Sequence, residues 1–394
     1  MAVDVRYPRG PLYRDIDGFR LNAYVSVDLY RSALGYKPRA DDVFIATFPK
    51  SGTTWMQQMG YLILHDGSPA PDGMDFFKTM PFLELFGAED VAKLKRPGLI
   101  KTHLPYNLVP KSPSAKYVYL CRNPKDVCVS FFYHTKGFVA YDFADGKLED
   151  FFDVFMQGAT DFGDYFDHVL SWYAHRNNPN VLLMHYEDIK TDPKNHVLKL
   201  AAFLGDEYHR KLVEHPGALD RVIKYSGVDF MRSKTGADIK AFLTRPLDND
   251  KDVRPGLKHY HDTVMKYPKT MGFIRKGVVG DWKNHFTPEM NTKMEAKIYQ
   301  RQLRDDSFQS IHWAQRQRFP LPYGTSLSFL ERSHKLSPSS PIRRLSHRLH
   351  WEQISFLQPR RHHNHNLRDA FTDHRNPDTI GFRDFAASSS RRVF

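Results

Sequence analysis

Residues 43–48 read Val-Phe-Ile-Ala-Thr-Phe, an apolar run that stops at Pro49-Lys50-Ser51-Gly52 and gives way to a helix-like stretch from Trp55 to Leu64. A run this short, rich in β-branched and aromatic residues, fits a strand buried on both faces, and such strands belong to parallel sheets. The same grammar recurs along the chain. Gly98–Lys101 and Tyr117–Cys121 read as further short strands, with a helix over Pro124–His134 after the second. Val181–His185 reads as another strand, and a helix over Asn195–Phe203 follows, with Val197, Leu200, Ala201 and Leu204 at helical spacing. Strands alternating with helices predict an α/β fold with a central parallel sheet flanked by helices, and ligands bind such sheets beyond the carboxyl ends of the strands.

Length and charge divide the chain unevenly. The 394 residues carry a formal charge of +12, which invites a nucleic-acid reading. From Phe308 to the end there are 14 Lys and Arg against 6 Asp and Glu, so +8 of that excess sits in the last segment. The remaining +4 over residues 1–307 suits a small anionic ligand. Residues 308–394 are dominated by Ser, Pro, Arg, His and Asn, as in SPSSPIRR and QPRRHHNHN, and carry no regular apolar face. They are expected to form a disordered, solvated tail, with nucleic-acid binding as the minority reading. The expected organisation is one domain over 1–307 and this tail over 308–394. Cys121 and Cys128 are the only cysteines, which excludes a disulfide framework and fits a reducing compartment. No apolar run reaches 18 residues and the start, MAVDVRYPRG, has no apolar core of a secretory signal. A cytoplasmic location without membrane insertion is therefore expected.

Three segments look built for anions. Pro49-Lys50-Ser51-Gly52-Thr53-Thr54-Trp55 joins a strand to a helix, so a glycine turn, two hydroxyls, a lysine and the free amides of a helix N-terminus converge. Its spacing is not GxxxxGK[ST], and taken alone it could equally be a polar turn. Arg122-Asn123-Pro124 follows the strand Tyr117–Cys121; Asn123 suits a helix cap and Pro124 the first helical position, which leaves Arg122 at the strand end and Ser130 two turns on. A forked guanidinium beside a hydroxyl suits a phosphate monoester. Far along the chain, Arg275-Lys276-Gly277-Val278-Val279-Gly280-Asp281-Trp282-Lys283 offers a basic pair on a glycine-containing loop able to wrap an anion.

In this order the three segments closely resemble the cytosolic sulfotransferase family, whose loops read PKSGTTW, RNPKDVxVS and RKGxxGDWKN. KTHLP (Lys101–Pro105), PFLE (Pro81–Glu84) and YED (Tyr186–Asp188) add to the resemblance, which spans about residues 30 to 290. It implies a P-loop-like nucleotide-binding architecture and 3′-phosphoadenosine 5′-phosphosulfate (PAPS) as sulfuryl donor. It further implies that Lys50, Ser51, Gly52, Thr53 and Thr54 hold the 5′-phosphosulfate and that Trp55 stacks on the adenine. Arg122, Ser130, Arg275, Lys276 and Gly277 would hold the 3′-phosphate, while Tyr186 and Ser226 would contact the adenine. The family usually shows Thr-Ser-Phe where this chain has Ser226-Gly227-Val228, so an aromatic of the adenine clamp is missing at Val228.

His103 is implied as the general base, with Lys50 and Lys101 stabilising charge on the bridging and sulfuryl oxygens and no metal required. Phe82 matches an acceptor-pocket position. Phe132, Tyr133 and Phe138 lie near it in sequence and could line the pocket or pack the core. The expected acceptor is a small phenol, alcohol, steroid or amine. The family's dimerisation stretch KxxxTVxxxE keeps Lys283 and Thr287 but meets Pro288 and Thr292, so a monomer and a homodimer both stay open. Of the rivals, a P-loop kinase needs GxxxxGK[ST] with metal-binding carboxylates, and no kinase-type DFG or HRD set is read. A Golgi sulfotransferase needs an N-terminal anchor. A catalytically silent nucleotide- or RNA-binding protein is the alternative from another class; Lys50, Lys101 and His103 together argue against it, since a binder needs no base.

Overall fold

The strands are built from the apolar runs, and their order fixes where a ligand can sit. The computed structural model describes residues 1–71, 76–244, 246–247, 253–267 and 274–304, all within one compact unit. The tail expected over 308–394, with its boundary at 307, lies outside the described residues. Three short strands, β1 (Ala2–Arg6), β2 (Leu12–Ile16) and β3 (Phe19–Asn22), form an antiparallel meander. Four more, β4 (Asp42–Ala46), β5 (Gly98–Thr102), β6 (Lys116–Cys121) and β7 (Val181–His185), form the parallel sheet in the order β5-β4-β6-β7.

Every residue of β4 is buried, as a central strand covered on both faces requires. The connection leaving β4 runs to β5 on one side, and that leaving β6 runs to β7 on the other. The carboxyl ends of β4 and β6 are thus the point where the topology switches direction, and a crevice opens there. Helices follow each of these strands. Thr53–Leu64 follows β4, and Pro124–Lys136 follows β6, with the Asn123 side chain accepting from the Lys125 amide at 3.0 Å. Pro193–Leu204 buries Val197, Leu200, Ala201 and Leu204 as their spacing predicts.

The sequence pattern missed the β1–β3 meander. Its strands carry charged residues that find partners within the meander: Arg14 pairs with Asp4 at 2.7 Å and Arg20 with Asp15 at 2.8 Å. Cross-strand pairing of this kind leaves no apolar alternation to read. The meander matters because β3 ends at Asn22, which faces the crevice.

Candidate active site

The turn after β4 is shaped for close approach to an anion. Lys50 takes a left-handed backbone with φ 68°, and Gly52 follows with φ 112°. A Cβ on Gly52 would lie 2.9 Å from Cδ2 of Tyr186 and 3.1 Å from Cδ2 of Leu120, so no larger residue fits without displacing the ring. The first helical carbonyl, that of Gly52, accepts from Met56 at 3.0 Å, so the amides before Met56 are the free donors of a helix N-terminus. Ser51 is fully buried and its Oγ has no partner. A turn with unsatisfied donors, a glycine that admits no Cβ and a lysine suits a phosphate or sulfate group.

Arg122, at the end of β6, ties the surrounding loops together. Its Nη1 donates to the Lys50 carbonyl at 3.4 Å and its Nη2 to that of Val278 at 2.9 Å, while the guanidinium lies 4.4 Å over the Tyr186 ring. Its Nε has no partner, so donor capacity remains for a ligand. Asp126, in the first turn of the helix, accepts from the amides of Gly280 (2.7 Å) and Trp282 (3.1 Å) and so anchors the late loop beside β6. On that loop Asp281 pairs with Arg275 at 2.7 Å and Lys276 at 2.8 Å, one carboxylate against two cations. Hydrogen bonds from these cations hold the Asp281 carboxyl well below its ordinary value, against the opposing effect of burial. Gly277 has φ 69°, and a Cβ there would lie 2.6 Å from Cγ2 of Val228.

His103 follows β5 and is held on both sides. Its amide donates to Glu84 Oε1 at 2.5 Å, and its carbonyl lies 2.9 Å from His168 Nε2. Its Nδ1 lies 2.7 Å from the Thr47 carbonyl, which can only accept, so Nδ1 carries the proton and Nε2 keeps its lone pair. Thr47 Oγ1, 3.1 Å from the same nitrogen, also bonds Thr53 Oγ1 at 2.7 Å and links the base to the phosphate turn. Burial, reinforced by the Lys101 charge, keeps the imidazole well below its ordinary pKa and hence neutral. Burial pushes Glu84 up to about 7 and Lys101 down to about 8. Burial, then the charges of Lys101, Arg122 and Arg275, pushes Lys50 down to about 7. Cations clustered in this way form a site that an anion stabilises.

One cavity collects nearly every residue singled out from sequence. Lys50, Gly52, Thr53, Thr54, Trp55, Phe82, Lys101, His103, Arg122, Ser130, Tyr186, Ser226, Arg275, Lys276 and Gly277 all line it. Ser51 does not; its side chain sits behind the turn. Trp55 and Tyr186 meet edge to face at 4.9 Å between centroids. The three nearby aromatics divide. Phe138 lines the cavity and stacks on Tyr24 at 5.6 Å. Tyr133 lines it under the Arg275 guanidinium, 4.9 Å away. Phe132 packs against Phe143 and Phe151 instead.

Sequence reasoning missed the opposite wall. Asn22 and Tyr24 come from the end of the meander, Tyr141 from the short 3-10 helix Val139–Tyr141, and Asp161 and Phe162 from an irregular stretch before the helix Tyr165–Tyr173. One signal was available and misread. Asp161-Phe162-Gly163 does spell DFG, so the tripeptide thought absent from this chain is present. It is not a kinase metal site: among the described residues no group of three or more His, Cys, Asp and Glu could hold a metal ion. Instead, Phe162 at φ 64° and Gly163 at φ 82° turn the chain so that the Phe162 ring meets His103 at 5.2 Å.

A parallel α/β crevice lined by anion-binding turns and a neutral histidine defines a nucleotide-dependent group-transfer site. Comparison with known proteins identifies which. The sulfotransferase domain model matches residues 40–307. Sulfotransferase 1E1 from Homo sapiens is 35% identical over 282 residues, covering 69% of this chain and 87% of the relative. The amine sulfotransferase of Oryctolagus cuniculus is 34% identical over 275 residues, covering 68% and 83%. Mouse sulfotransferase SULT7A1 complexed with PAP superposes with a TM-score of 0.55 at 26% identity, over 76% of this chain and 98% of that one. Retinol dehydratase in complex with androsterone and inactive cofactor PAP shares the fold, with a TM-score of 0.57 at 21% identity over 79% and 91% of the two chains. The chain belongs to the sulfotransferase family and is a PAPS-dependent sulfotransferase. Among the described residues no helix is long and apolar enough to cross a membrane.

Proposed function

We propose that this cavity transfers the sulfuryl group of PAPS to a hydroxyl or amine of a small aromatic or steroidal acceptor, with His103 as general base. The observation that carries the reading is convergence: the turn after β4, the β6 end with Ser130, the Arg275–Gly277 loop and His103 all line one cavity. Lys50, Ser51, Gly52, Thr53 and Thr54 hold the 5′ end of the donor, Trp55, Tyr186 and Ser226 its adenine, and Arg122, Ser130, Arg275, Lys276 and Gly277 its 3′-phosphate. The unpartnered Arg122 Nε and Arg275 Nε and the two glycines that admit no Cβ fit such an anion. When bound, the donor supplies an electrophilic sulfur and a nucleotide leaving group. The reading places the enzyme in the cytoplasm, as a monomer or a homodimer.

His103 Nε2 takes the proton from the acceptor atom as that atom attacks in line, and the Thr47 carbonyl stabilises the imidazolium through Nδ1. Lys50 places its charge where the leaving oxygen develops charge, and Lys101 where the sulfuryl oxygens do. Phe82 positions both partners: the Lys101 ammonium lies 3.9 Å over its ring and the His103 edge 5.0 Å from it. The apolar wall this makes suits a flat acceptor.

His103→Ala tests the assignment. Turnover with a phenol acceptor should fall by about 10²–10⁴ while PAP affinity stays within about threefold; turnover near the wild-type rate would remove His103 from the base role. The neutral imidazole is the active form and its pKa is lowered by burial. The acid limb of kcat/KM should therefore lie well below pH 6.5 in the wild-type enzyme.

A further inference from the structure

The wall opposite the phosphate turn carries a carboxylate that the chemistry above does not use. Asp161 lines the cavity yet is 2% exposed, and its Oδ1 has no partner in hydrogen-bonding geometry. Its Oδ2 accepts from the Tyr141 hydroxyl at 2.8 Å. The Asn22 side chain, 4% exposed, stands beside it and turns its amide toward the carboxylate, while its own Oδ1 is unpartnered. A buried acceptor left unmade is costly, and two side by side in a ligand cavity call for a group that brings hydrogen-bond donors.

Among the described residues no cation faces this carboxylate to balance it. Its surroundings are aromatic: Tyr24, Phe138, Tyr141 and Phe162 line the same wall. A hydroxyl would bring one hydrogen to two acceptors. An ammonium brings three, together with the missing charge, and it is also attracted to aromatic faces. We propose that Asp161 determines acceptor specificity, holding an ammonium group that an aromatic acceptor carries at the end remote from the sulfated atom.

The placement supports this division of ends. Asp161 is the residue before Phe162, whose ring meets both His103 (5.2 Å) and Phe82 (6.4 Å). Asp161, Phe162 and His103 all line the one cavity, so a single acceptor can meet both carboxylate and base. The left-handed backbone at Phe162 is unusual for an aromatic residue, and the Phe162 amide is fixed by the Arg20 carbonyl at 2.8 Å. Such a turn persists where the fold over-determines it. Burial, offset only in part by hydrogen bonds from Tyr141, the backbone and Asn22, pushes the Asp161 carboxyl up to about 7, and a bound cation would restore its charge.

The proposal rests on reading this wall as the acceptor site, and its test reads binding rather than turnover, so it does not depend on the role of His103. Tyramine and 4-ethylphenol differ by one amino group. Their affinities for the full chain saturated with PAP can be compared by calorimetry near neutral pH. Tyramine should bind about tenfold tighter or more to the wild type, and Asp161→Asn, which still accepts from Tyr141, should reduce the two to near parity without weakening 4-ethylphenol or PAP. Equal or weaker tyramine binding to the wild type would overturn the proposal, and so would a preference that survives in Asp161→Asn. Binding of PAP with neither phenol would also overturn it, while leaving the donor site intact. The wild-type comparison decides whether or not the variant folds.

Discussion

The two halves of the cavity are built differently. On the proposed reading the donor half is made of contiguous loops: the turn after β4, the end of β6 and the Arg275–Gly277 loop, bound together by Arg122 and Asp126. The acceptor half is made of side chains from scattered elements, among them Asn22 at the end of β3, Phe82, Phe138 and Asp161. A backbone cradle requires particular residues at consecutive positions, because glycine, hydroxyl and helix N-terminus must share one turn. A side-chain wall requires a suitable shape, which many combinations can supply. The donor half should accordingly be sensitive to single atoms and the acceptor half tolerant.

The sharpest break in that contrast is expected at Gly52. Gly52→Ala places a methyl 2.9 Å from the Tyr186 ring in a backbone of φ 112° that alanine resists. Ring and turn must both shift, and PAP affinity should drop by roughly 100-fold, about 2.8 kcal/mol, in a calorimetric titration. Binding of 4-ethylphenol to the same variant should change by less than about threefold if the halves are separate. A wild-type PAP affinity would show that the turn tolerates a side chain and would undo the cradle argument.

The same contrast explains what could be read in advance. β4 to β7 were legible because a strand buried on both faces leaves an apolar run, and the motifs at their ends were legible because their residues are contiguous. Lys50 to Trp55 could be placed before any coordinates for that reason. Ser51 was placed in the turn correctly but its hydroxyl faces the interior, since sequence fixes position and not side-chain direction. Asn22, Tyr24 and Asp161 are isolated letters whose meaning depends on which distant segments meet. Phe132 and Phe138 sit six positions apart, and nothing local says that the first packs against Phe151 and the second on Tyr24.

Protonation should separate the halves next. Lys50 is held at about 7 by burial and by Lys101, Arg122 and Arg275, and an arriving anion favours its charged form. The free enzyme has largely lost that proton above pH 7, so binding must take it up again. PAP affinity should fall as pH rises from 7 to 9, by about tenfold per unit at its steepest for one such group. Lys50→Arg, charged throughout this range, should flatten the profile. Affinity for uncharged 4-ethylphenol should stay level over the same interval. A flat PAP profile in the wild type would mean that Lys50 is already charged when the nucleotide arrives.

The smallest effect is expected where the halves meet. Phe82 belongs to the acceptor wall yet lies under the Lys101 ammonium and against the His103 edge. Phe82→Leu keeps an apolar side chain in this buried position, avoiding the cavity that alanine would leave, but removes the ring face. A cation over an aromatic face contributes about 0.5–2 kcal/mol, so Lys101 would lose that much positioning. The acceptor KM should rise roughly threefold to tenfold with PAP affinity unchanged, measured by initial rates at saturating PAPS and by PAP titration. If PAP affinity fell as well, Phe82 would act through Lys101 on the donor, and the boundary between cradle and wall would lie one residue further into the acceptor side.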